Sequence, residues 1–233
     1  MRTRNTIALT TLLCAAPATT ALADMTGNVY QNTRNLAYTD GFGAPDFDGV
    51  VVDIWLEFDD LDDVLLNIYN FNDPNLGTNY YQSITGNTWL PNNLGLPFRT
   101  PALLFADSFV SIGDYGNGKQ GNTNGTGLDP NFGGANAPGP GENAGWYNSD
   151  PSSLIGQAVQ TEFTSTGIGV FIGRFAVNGA QELDFFGLTG FATWNQGIGT
   201  DGSQGQFIKI PAPGALALLG VAGLAGNRRR PTH

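Results

Sequence analysis

Four carboxylates crowd one short stretch, Phe58-Asp59-Asp60-Leu61-Asp62-Asp63, and two more, Asp46 and Asp48, precede it. Like charges packed into one turn repel each other. A Ca²⁺ held by oxygen ligands at roughly 2.3–2.6 Å would relieve that repulsion and stiffen the turn. The same composition also has a plain structural reading, because Asp favours hairpin turns by bonding its own backbone. Asp46-Phe47-Asp48-Gly49 opens like an EF-hand loop but lacks the third oxygen ligand and the closing Glu, so that motif fails. Asp59, Asp60, Asp62 and Asp63 are therefore the candidate Ca²⁺ ligands, and no other cofactor is indicated.

Three aromatics could serve a different chemistry. Trp55 falls on the outward side of an alternating segment, and Trp146-Tyr147 follows a long Gly-rich stretch. An exposed ring of this kind can stack on a pyranose, though in a β-protein it more often fills the core. Trp89, close to Pro91, is harder to place. A glycosidase would need two carboxylates a defined distance apart. Among 20 acidic residues a pair can always be found, so that signal has little value.

The single Cys is Cys14 and the single His is His233, each near an end of the 233-residue chain. If both ends are removed, no thiolate, disulfide or imidazole is left. Serine–histidine triads and ordinary zinc sites are then excluded. What remains is carboxylate chemistry or oxygen-ligated calcium.

The ends read as addresses. Arg2 and Arg4, the apolar run Ile7–Ala16 and the small-x-small site Ala21-Leu22-Ala23 form a secretory signal peptide over residues 1–23, cut by signal peptidase. At the other end, Pro211-Ala212-Pro213 precedes an apolar segment, Gly214–Gly226, closed by Arg228, Arg229 and Arg230. Positive charge after an apolar run stays on the cytoplasmic side. The run is short for a permanent span, which suits a transient inner-membrane anchor.

Between the ends, residues 24–210 have the length of one domain. Arg2, Arg4 and Arg228–Arg230 lie in the end segments, so of 10 basic residues 5 remain in the core beside all 20 acids, a charge near −15. That surface repels nucleic acid and anionic lipid. Val50, Val52, Ile54, Leu56 and Phe58 alternate with Val51, Asp53, Trp55 and Glu57, the period of a half-buried strand. Segments 64–71, 79–84, 103–112, 156–163, 168–177, 182–194 and 206–210 read likewise, and none of the core has a helical period. Turns rich in Gly, Asn and Pro link them. The expected fold is all-β, an antiparallel, jelly-roll-like β-sandwich, with a terminal helix in each address segment. Residues 113–145, where alternation dissolves, form a long Gly-rich loop, by default a mobile surface one.

The tail over residues 211–230 resembles the PEP-CTERM sorting signal of Gram-negative bacteria, with Ala212 where that family has Glu. The core is similar to secreted planctomycete-type PEP-CTERM proteins in an aspartate-rich hairpin before "LLN" (Asp59–Asn67), a "DSFV-IG" strand (Asp107–Gly113) and a "GW-NS-P" turn (Gly145–Pro151). The resemblance implies an exosortase substrate, anchored briefly, cut near Pro211-Ala212-Pro213 and passed to the cell surface. The reading is a non-enzymatic envelope or matrix protein, with extracellular polysaccharide as a partner and no nucleic acid. A carbohydrate-binding module using Trp55, Trp146 and Tyr147 is the alternative, and a carboxylate glycosidase the third.

Overall fold

The computed structural model describes residues 25–39, 46–83, 89–91, 100–113, 115–116, 119–120, 125–134, 136–153 and 155–209. The expected signal peptide with Ala21 and Ala23, and the expected sorting tail with Pro211, Ala212, Pro213 and Arg228–Arg230, lie outside the described residues. Among those that are described, no helix is long and apolar enough to cross a membrane.

The described chain is nearly all β. Its strands are β1 (Met25–Tyr38), β2 (Phe47–Phe58), β3 (Val64–Asn72), β4 (Phe109–Val110), β5 (Tyr115–Gly116), β6 (Lys119–Gln120), β7 (Thr126–Leu128), β8 (Ala144–Asn148), β9 (Val159–Gln160), β10 (Ile168–Asn178), β11 (Thr189–Asn195) and β12 (Ser203–Ile208). Ten of them join in one sheet, ordered β4-β10-β2-β1-β12-β11-β3-β8-β7 with β9 also on β10, while β5 and β6 form a separate hairpin. The sheet is mixed, not purely antiparallel: β1 and β12 run parallel, meeting at Asn28 and Ile208. This parallel pairing joins an A half (β4, β9, β10, β2, β1) to a B half (β12, β11, β3, β8, β7).

The two ends of the sheet approach each other without a ladder. Ile112 N donates to Thr126 Oγ1 at 3.2 Å, and Trp146 Nε1 donates to Ser111 O at 2.9 Å. Both halves send side chains into one core: Val52, Ile54, Leu56, Val170 and Phe175 from the A half, Ile68, Phe71, Trp146, Trp194 and Phe207 from the B half. Aromatic rings knit it together. Phe71 meets Trp146 edge-on at 4.9 Å and Phe175 meets Phe185 at 4.9 Å, contacts worth about 0.5–1.5 kcal/mol each beyond their buried area.

Several expected elements differ. β1 has no apolar alternation; Asn, Gln and Thr dominate it, and its strand form comes from an 11-pair register with β2. Residues 79–84 form no strand in their described part. In place of a strand over 103–112 stand one helical turn, α1 (Pro101–Phe105), and the short β4. The local signal for α1 is Thr100-Pro101. Thr100 Oγ1 caps by accepting from Leu103 N at 3.2 Å, and Pro101 occupies the first helical turn. The Gly-rich stretch 113–145 is built into the fold where it is described: β7 pairs with β8, and Phe132 is fully buried.

Candidate functional site

The two halves treat their outer faces differently. In the A half, Val51, Asp53, Trp55 and Glu57 point away from the shared core, yet all four are buried. Two segments cover them. The described residues of 81–113 lay Tyr81, Ala102 and Ala106 over Val51 and Ala176, and Phe109 beside Trp55 and Phe171. Residues 161–167 bring Phe163 to 5.4 Å from Trp55.

Under this cover lies an ion-pair cluster. Asp53, with no exposed surface, accepts from Arg174 Nε at 2.7 Å and Nη2 at 3.3 Å. Arg34 Nη2 bonds the same carboxylate from the cluster's rim, where its side chain is 27% exposed. Arg174 Nη1 donates to Leu104 O at 2.8 Å, and its guanidinium lies 5.5 Å from the centre of the Phe109 ring. Strand register explains the meeting, since Arg174 on β10 stands directly opposite Asp53 on β2. The fork geometry of Arg suits such bidentate pairing.

Glu57 is the second charge on this face. Its Oε2 accepts from Thr26 Oγ1 at 2.7 Å and Asn28 Nδ2 at 2.8 Å; its Oε1 accepts from Thr166 N at 2.9 Å and from Ser165 Oγ. Burial pushes the carboxyl pKa up, but the bonds from Asn28, Ser165, Thr26 and Thr166 outweigh it, lowering the pKa from 4.5 to about 2. Asp73 is a contrasting case. Burial raises its pKa despite bonds from Tyr80 Oη at 2.5 Å and Asn75 N at 2.8 Å. Asp107 accepts from Ser83 N at 2.8 Å, and Asp129 caps a turn by accepting from Phe132 N at 3.0 Å. These carboxylates hold backbone and strands together.

The acidic turn spreads its side chains. Asp59 and Asp62 face solvent, Asp60 is half-buried and accepts from Asp62 N at 2.9 Å, and Asp63 is fully buried. Among the described residues no group of three or more carboxylate, His or Cys side chains is placed to hold a metal ion. Asp48 instead lines a shallow groove of about 460 Å³ with Asn35, Gln181 and Glu182.

The expected tryptophan platforms are core residues. Trp55 is 2% exposed and Trp146 not at all, so neither offers a face to a sugar ring. Trp55 lost its outward exposure to the covering segments. Trp146 turned inward because it staples the two ends of the sheet. Of the three expected aromatics, Tyr147 alone, at 43% exposure, stands where an aromatic platform must stand.

Tyr147 belongs to the outer face of the B half, which no segment among the described residues covers. Register places two rows there: Gln206, Phe191 and Tyr69 in one, Gln204, Thr193, Asn67 and Tyr147 in the other. Phe191 and Tyr69 stack with centroids 5.4 Å apart and planes at 20°. Tyr69 Oη lies 3.2 Å from Gln204 Oε1, and Thr193 Oγ1 donates to Asn67 Oδ1 at 2.8 Å. Gly127 lies opposite Tyr147, and a Cβ there would come within 2.5 Å of Tyr147 Cζ; the phenol lies flat over bare backbone. Strands β3, β7, β8, β11 and β12 carry no charged residue, whereas β1, β2 and β10 carry Arg34, Asp48, Asp53, Glu57 and Arg174. The sequence contained this signal as charge-free strands, but the rows appear only once register is known.

No protein-family model matches this chain, and none of the curated proteins or solved structures compared with it does.

Proposed function

We propose that the chain is a non-enzymatic, exported β-protein of the cell envelope or extracellular matrix. Its signal peptide over residues 1–23 would be removed by signal peptidase. Its tail over residues 211–230 would be held briefly in the inner membrane and cut by an exosortase-type protease. Residues 24–210 would remain as the surface domain, a jelly-roll-like sandwich with the A and B halves as its layers. The observation that carries this reading is the use of the acidic side chains. Asp53, Glu57, Asp73, Asp107 and Asp129 are spent on bonds that fix strands and turns. A framework role accounts for each of them without a substrate.

Mass spectrometry of the surface form tests the sorting. The mature protein is expected to begin at Asp24 and to lack Arg228–Arg230. Replacing all three arginines should leave a misprocessed, membrane-retained chain. Recovery of a surface form with Arg228–Arg230 intact would overturn the reading.

A further inference from the structure

The exposed face of the B half is chemically unlike the rest of the protein's surface. The chain carries 20 acidic and 10 basic residues, yet five adjacent strands hold none of either. Solvated sheet faces ordinarily carry charges that keep them soluble and guard their edges. Here, apart from the exposed Ile208 at the end of β12, the outward positions are amides, hydroxyls and aromatic rings. The rings are also fixed in place. Tyr147 lies flat over Gly127, and Tyr69 is held between Phe191 and Gln204. Rings held in advance lose little freedom when something stacks on them.

We propose that this face binds a neutral polysaccharide, its sugar rings stacked on Tyr147, Tyr69 and Phe191 and its hydroxyls bonded by Asn67, Gln204 and Gln206. The C–H faces of a pyranose suit an aromatic surface, and amides can both donate to and accept from hydroxyls. Charge selects against other occupants. An anionic glycan finds no cation on these strands and meets a chain of net charge −10. A second copy of the same acidic chain is repelled in the same way. A basic partner would seek the carboxylates elsewhere. The proposal extends the surface-protein reading by naming what is met there, but its test uses purified protein and is independent of export.

Affinity electrophoresis of the purified full-length chain decides it. Gels would contain hydroxyethylcellulose, xyloglucan, galactomannan or dextran as neutral probes, with alginate as the anionic one. At least one neutral glycan should retard the protein, and alginate should not. Tyr147→Ala should weaken that binding about tenfold, while Tyr147→Phe retains it. Gly127→Ala keeps the phenol but lifts it from the sheet, and should weaken binding as well. The exposed pair Gln204→Ala/Gln206→Ala tests the amides, and urea midpoints verify that every variant folds. The proposal is overturned if no neutral glycan retards the chain or if only alginate does. It is equally overturned if Tyr147→Ala and the double glutamine variant bind like the parent, or if light scattering shows a dimer that Tyr147→Ala dissolves without glycan binding.

Discussion

Strands β2 and β11 alternate equally well, yet their outer faces meet different environments. β2 has eight consecutive buried residues, Val51–Phe58, whereas β11 strictly alternates buried with half-buried positions. The A half placed Asp53, Glu57 and Arg174 outward and then covered them; the strands of the B half left their outer face open and placed no charge on it. Alternation therefore establishes that one side of a strand enters a core. It does not say that the other side meets water. Burying Asp53, Glu57 and Arg174 is tolerable only because each is hydrogen-bonded in place. The open face needs no such compensation, and its polar groups stay available to a ligand.

Substitutions should separate the halves sharply. Arg174→Ala would strand Asp53 under the covering segment without its buried guanidinium partner, and is expected to cost about 3–5 kcal/mol of unfolding free energy. Urea denaturation measures this. Arg34→Ala, at the half-exposed rim, should cost only about 1 kcal/mol, and equal losses would show that the cover does not isolate the pair. Tyr147→Ala on the open face should stay below about 1 kcal/mol.

Next in size is a pH effect from Glu57. Its carboxyl pKa is lowered in the folded protein, from 4.5 to about 2, so its stabilisation is complete above pH 4.5 and drains away as pH falls toward 2. Glu57→Gln should cost about 1–2 kcal/mol at pH 7, less than the bare shift implies because the Gln amide oxygen can still accept part of the hydrogen-bond set. Melting curves of parent and variant should converge between pH 4.5 and 2. A gap that persists at pH 2 would mean the loss comes from packing, not charge.

The smallest expected effect concerns calcium at Asp59, Asp60, Asp62 and Asp63. A bound ion would raise the melting temperature by mass action. With Asp63 turned inward and Asp60 engaged by Asp62 N, millimolar Ca²⁺ and Mg²⁺ at equal ionic strength are expected to give superimposable melts. A rise specific to Ca²⁺ that disappears in Asp60→Asn/Asp62→Asn would restore the turn as a metal site.

The sequence by itself determined the all-β character and the central strands. Val50–Phe58, Val64–Phe71 and Ile168–Val177 alternate or run apolar because they line the core, a local property that composition records. It also set the charge balance. β1 was not legible, because its polar residues become a strand only through the ladder offered by β2. Nor was the fate of Trp55 and Trp146. An indole on a strand looks the same whether the next layer is solvent or, as at Trp55, Phe109 and Phe163. Tertiary structure alone decided which face was covered, where Asp53 found Arg174, and that Tyr69, Phe191 and Tyr147 shared one open surface. Each of those pairings joins residues far apart in the chain, and long-range register leaves no trace in local pattern.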